Sequence, residues 1–146
     1  MKKILALPNL DTATHWINKK LTAEYLSGKP LLVHFWSVSC SHCKEAMPAL
    51  QALRDSYTDK IRVIAVHMPL SEVDLDVNQV AAACKTYHII EPVLIDNQHH
   101  LADAFSNRYV PAYYLFNQHH MLEEYHMGQR GVDRIGRALE RLLQQT

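Results

Sequence analysis

Residues 31–43, LLVHFWSVSCSHC, constrain the fold more than any other stretch of this chain. Leu31–Trp36 is apolar apart from His34, and an uninterrupted run of that length reads as a strand buried on both faces. Cys40 and Cys43 follow with two residues between them, and then come Lys44, Glu45, Ala46, Met47 and residues 49–53, mostly good helix formers. A strand that ends in Cys-x-x-Cys and turns into a helix sets the first cysteine at the helix N-terminus. Unpaired backbone N–H groups and the helix dipole there favour a thiolate over a thiol. The thiolate is the form that attacks disulfides. The stretch therefore predicts a dithiol–disulfide exchange site, with Cys40 exposed and attacking, and Cys43, one turn further on, covered and resolving. Two intervening residues let the helical turn bring the sulfurs within bonding range.

Around that stretch the chain reads as alternating strands and helices. Residues 1–10 are expected to form a loosely held arm. Residues 14–17 predict a short strand, Asn18-Lys19 a turn and Lys20-Leu21 the start of a return strand. Thr22 caps a single helical turn that Ser27-Gly28 stops. After Cys40 the helix carries Pro48, which should kink it or end its first segment; Leu50, Leu53 and Tyr57 then continue an apolar stripe. Strands are expected at 61–66, 93–95 and 112–116, helices at 77–87 and around Leu101–Phe105. Residues 121–127 should return antiparallel as a hairpin partner. Val132, Ile135, Leu139 and Leu142 place a 3.6-residue stripe on a closing helix. The sum is one α/β domain over residues 1–146, with a mixed sheet flanked by helices.

Composition narrows the function. With 146 residues, 48% apolar and 21% charged, the chain has the make-up of a soluble globular domain. Its formal net charge of zero points to no nucleic acid and no anionic membrane as partner. Ile4–Leu7 is far shorter than the roughly 7–15 apolar residues of a secretory signal. A cytoplasmic location is expected. Three cysteines make a poor disulfide framework, and a close pair in a reducing compartment points to redox or metal chemistry. A zinc or copper site using the CSHC motif is the alternative, but it needs two further ligands and no second CxxC or HxxxH is present. A peroxidase would want a lone cysteine in a Thr-x-x-Cys setting, which is absent.

Phe35-Trp36, Cys40-Ser41-His42-Cys43, Pro48 and Val110-Pro111 before a strand together resemble the thioredoxin fold. The spacing FW-x-x-x-C-x-x-C-K-E-x-x-P, with an N-terminal extension and an additional helix between two central strands, is similar to the ResA/TlpA branch of thiol–disulfide oxidoreductases. The resemblance implies an enzyme acting on protein or small-molecule disulfides. It implies no cofactor beyond the Cys40–Cys43 pair, a monomer, and recharging by an unidentified reductant or a thioredoxin reductase. Pro111 resembles the cis-proline that faces the cysteines, so that Val110 would offer its N–H and C=O to an extended substrate. Thioredoxins proper carry Gly-Pro where this chain has Ser41-His42. An imidazolium there stabilises the thiolate and makes the couple more oxidising. Two residues are candidates for the Cys43 proton: His34, at the place of the buried aspartate of thioredoxins, and Glu72, similar to the carboxylate ResA-like proteins hold near their cysteines.

Trp36 is expected to pack beside the dithiol and shield it. Cys84, among Ala81-Ala82-Ala83, reads as a buried structural thiol. The pairs His99-His100 and His119-His120 point different ways on any regular element and read as turn residues.

Overall fold

Strand β2, Leu31–Trp36, forms where the apolar run predicts it, and all six residues are buried. A computed structural model of the chain describes residues 4–145. It sets β2 inside a six-stranded sheet of order β1-β4-β3-β2-β5-β6, with β1 at His15–Ile17, β3 at Arg62–His67, β4 at Val93–Ile95, β5 at Ala112–Phe116 and β6 at Leu122–Met127. β2 runs parallel to β3, with Trp36 opposite His67, and antiparallel to β5, with His34 opposite Tyr113. β3 and β4 are parallel, whereas β1–β4 and β5–β6 are antiparallel, so the sheet is mixed as expected.

Side chains alternate across a strand, and the two faces of β2 feed two cores. Leu32 and Trp36 join helices α2 (Ser41–Ser56), α3 (Val77–Thr86) and α5 (Gly131–Gln144) on one face. Leu31, Val33 and Phe35 join α4 (His100–Phe105) on the other. There Phe105 packs edge-on against Phe35, Tyr114 and Phe116, with ring centroids 5.0–6.2 Å apart. Such pairs add about 0.5–1.5 kcal/mol each beyond area burial.

Three expectations need correction. The arm is held in place: Ala6 bridges to Met121, Leu7 N–H donates to the His120 carbonyl, and Leu10 is buried. Residues 1–3 of that arm lie outside the described residues. Lys20-Leu21 does not start a return strand. Asn18 turns the chain in the left-handed region (φ 73°), and its amide donates to the carbonyls of Ile89 and Glu91, after which Thr22 caps the single turn α1, Ala23–Leu26. Finally, Pro48 does not end a first helical segment: α2 runs unbroken through it. The buried stripe Cys43, Ala46, Met47, Leu50 and Gln51 follows one helical face on both sides of the proline, and packing of that face outweighs the one backbone hydrogen bond a proline removes. The stripe on α5 is core as predicted, with Val132, Ile135 and Leu139 buried.

Candidate active site

Beyond Trp36 the chain leaves the sheet through Ser37–Ser39 and enters α2 with Cys40 as its N-cap. The Cys40 N–H donates to the Ser37 carbonyl (3.0 Å), and the Cys40 sulfur accepts the Cys43 N–H (3.1 Å). A cap is normally an oxygen acceptor; here a sulfur takes one of the free amides of the first turn and sits in the positive end of the helix dipole. The same sulfur lies 3.8 Å from the Val110 carbonyl oxygen. Cys40 is not the openly exposed thiol predicted from its place in sequence: only 9% of the residue reaches solvent. Val38 and Val110 pack against the cluster that holds both cysteines, which accounts for the difference. Cys43 is covered as expected, at 1% exposure. Burial pushes its thiol well up, and the hydrogen-bond relation to Cys40 pushes in the same direction. Both are free thiols.

Ser41 and His42, between the cysteines, are exposed. The His42 ring is 3.6 Å from the Glu45 carboxylate. The Val110–Pro111 peptide is cis and leads directly into β5. Two residues on, Tyr113 is buried in the cysteines' cluster, its phenol pushed up by burial and then by the two sulfurs. Trp36 lies in the same cluster at 1% exposure.

The sequence-based proton carriers fare differently. Glu72 begins a short 3-10 turn, Glu72–Leu75, and is exposed, so the carboxylate of this loop that turns inward is another one. That residue is Asp74, 1% exposed, whose Oδ2 accepts hydrogen bonds from Ser37 Oγ, Ser39 Oγ and the Leu70 N–H. Sequence alone did not single it out; Asp74 and Glu72 sit in the same acidic loop, and only the phase of the turn separates them. His34 is on a core strand as read, but its Nε2 is 2.7 Å from Glu91, whose other oxygen takes a hydrogen bond from Arg54 (2.9 Å). Burial alone would raise the Glu91 carboxyl, yet His34 and Arg54 hold it down at about 2. His34 is thus engaged in a buried hydrogen-bond network with Glu91 and Arg54. Glu91 follows Ile90 and precedes Pro92, and nothing in that local pattern marks it as buried.

Cys84 is buried among apolar residues, and desolvation raises its thiol to about 12, with the Glu91 charge adding to the rise. Among the described residues no group of three His, Cys, Asp or Glu side chains converges as a metal would require, which leaves the zinc or copper alternative without support.

The chain matches the AhpC/TSA family over residues 5–125. It is 42% identical to the thiol-disulfide oxidoreductase YkuV of Bacillus subtilis across 100% of this chain and 99% of that one. It is 32% identical to the thioredoxin-like protein YneN of the same organism, over 75% of this chain and 63% of that one. The solution structure of a thioredoxin-like protein in the oxidized form superposes with a TM-score of 0.87 at 42% identity, covering 100% of this chain and 99% of that one. With its mixed sheet, its Cys40-x-x-Cys43 helix start and a full-length relative of that kind, the chain belongs to the thioredoxin-fold thiol–disulfide oxidoreductases of the ResA/TlpA type, within the AhpC/TSA family.

Proposed function

We propose that the protein exchanges its Cys40–Cys43 dithiol with disulfides of proteins or small molecules through a mixed disulfide. The observation that carries this reading is the asymmetry of the pair: the Cys40 sulfur accepts an amide at the start of α2, while the Cys43 thiol is buried and pushed up. In the first step the Cys40 thiolate attacks one sulfur of the target, a Cys40–target bond forms, and the other target sulfur leaves as a thiolate that takes up a proton. In the second step Cys43 gives up its proton and attacks the Cys40 sulfur. The Cys40–Cys43 bond forms, the target's remaining sulfur leaves, and two electrons have passed to the target. Run in reverse, the same steps oxidise a dithiol. The Val110 carbonyl beside the Cys40 sulfur suits an extended target segment held by main-chain hydrogen bonds, with Val110 and Pro111 as its backbone rest. Trp36 and the neighbouring apolar residues exclude water from the resolving step.

In this reading the protein works as a cytoplasmic monomer with no cofactor beyond its own cysteines, and a dithiol reductant of the thioredoxin reductase kind recharges it. Insulin reduction with dithiothreitol as electron source tests it. The wild-type chain should accelerate precipitation of the insulin B chain, Cys40→Ser should abolish the acceleration, and Cys43→Ser should accumulate a mixed disulfide at Cys40 visible by mass spectrometry. Full activity of Cys40→Ser would end the proposal.

A further inference from the structure

Three consecutive residues ahead of the nucleophile are each tied to the end of β3 or the turn that follows it. Ser37 Oγ donates to Asp74 Oδ2 (2.8 Å), the Val38 N–H to His67 Nε2 (3.1 Å) and Ser39 Oγ to Asp74 Oδ2 (2.7 Å). The Leu70 N–H is a third donor to the same carboxylate oxygen (2.9 Å). His67 and Asp74 are 0% and 1% exposed, and His67 stacks edge-on against Trp36 at 5.0 Å. Among the described residues, Asp74 Oδ1 and His67 Nδ1 have no hydrogen-bond partner. Burial would raise the Asp74 carboxyl, but the three donors and His67 bring it below the ordinary carboxylate value, so it is ionised. Burying an ion costs several kcal/mol even after relaxation, and a neutral acceptor could close the same turn. A negative charge in this low-dielectric setting also acts on any charge that develops on the sulfur one residue beyond Ser39.

We propose that Asp74 is a positioning residue for Cys40: it clamps Ser37–Ser39 so that the sulfur caps α2, and its charge opposes the thiolate that the helix N-terminus favours. The inference deepens the proposed function and rests on Cys40 being the attacking thiol. The titratable groups beside Cys40 are Cys43 and His42 on α2 and Tyr113 on β5, and His67 on β3 lies beside Asp74. Burial pushes Cys43 and Tyr113 up and His67 down to about 4, so these three keep one charge state through neutral and mildly alkaline pH. A His42→Ala background removes the fourth.

The test is the pH dependence of iodoacetamide alkylation at Cys40 in the reduced full chain, together with the reduction potential against a glutathione buffer. Asp74→Asn keeps an oxygen for the three donors and removes the charge. Its alkylation midpoint should fall by about half a pH unit or more, which is about threefold more thiolate below the midpoint, and the couple should become more oxidising. Ser39→Ala keeps the charge and removes one donor, and its midpoint should move up. A folded Asp74→Asn whose midpoint and potential both match wild type would reduce Asp74 to a structural role. Should that variant not fold, an unmoved midpoint in Ser39→Ala overturns the proposal equally. Alkylation needs no disulfide substrate, so a wild-type chain that fails to reduce insulin would sink the functional reading without touching this result.

Discussion

His42 follows Cys40 by two residues, yet 66% of its side chain is in solvent, where its ring lies 3.6 Å from the exposed Glu45 carboxylate. Solvent and salt screen a charge in that position, so its influence on the Cys40 thiolate is modest and falls with ionic strength. His42→Ala should lower the reduction potential by ~15 mV at low salt, the equivalent of about a threefold change in the equilibrium constant, and by less at high salt. Equilibration with glutathione buffers at two ionic strengths measures it, and an unchanged potential at both would remove His42 from the poise of the site. Glu72→Gln should leave insulin reduction within about twofold of wild type, because a solvated surface carboxylate has little hold on buried chemistry. Cys40, Cys43 and Trp36 were legible in the sequence because strand end, spacing and helix start are local. Asp74 and Glu91 were not, since the side chains that bind each lie 35 or more residues away.

At the scale of elements, the strands and helices follow the apolar periodicities, and the misreadings lie where a local rule met a tertiary contact. Pro48 is a helix breaker by its own chemistry, but Met47 and Leu50 on either side are both anchored in the core, so α2 stays whole. The start of α5 shows the same long-range dependence. A Cβ on Gly131 would stand 2.6 Å and 2.7 Å from ring carbons of Tyr113, so the helix begins with a glycine because a buried ring occupies the space. No local pattern reveals that contact. Gly131→Ala should overpack this junction and cost about 1–3 kcal/mol, read as a lowered denaturant midpoint. Tyr113→Leu in the same chain should recover part of the loss. If Gly131→Ala were as stable as wild type, the ring would have room to move that the packing denies it. Since Tyr113 shares the cysteines' cluster, the single variant should also slow disulfide exchange.

Over the whole molecule the two faces of the sheet divide the work: aromatic packing fills the α4 side, while His34 and His67, by strand alternation with Leu32, Trp36, Val63 and Ala65, lie on the side of the dithiol. Burying ionisable groups there makes stability depend on pH. Burial lowers His67 from 6.5 to about 4, so between those values the unfolded chain binds a proton that the folded chain does not. The His67 contribution is therefore complete above 6.5 and is lost as pH falls to 4. Glu91, depressed from 4.5 to about 2 against the pull of its own burial by His34 and Arg54, repeats the sign one step lower: its contribution is present above 4.5 and lost toward 2. Each shift corresponds to on the order of 3 kcal/mol. Asp96, raised by burial, opposes the second step in part. Urea midpoints at pH 7.5, 5 and 3 should thus fall in two stages. His67→Gln should hold nearly constant from pH 6.5 to 4.5 and decline only below, whereas Glu91→Gln should already be weakened at neutral pH, because Arg54 and His34 lose the carboxylate that pairs them. A His67→Gln variant that declined between pH 6.5 and 4.5 as steeply as wild type would show that the first stage belongs to other histidines, and that the imidazole under the Ser37–Ser39 loop takes up its proton as readily in the folded chain as in the unfolded one.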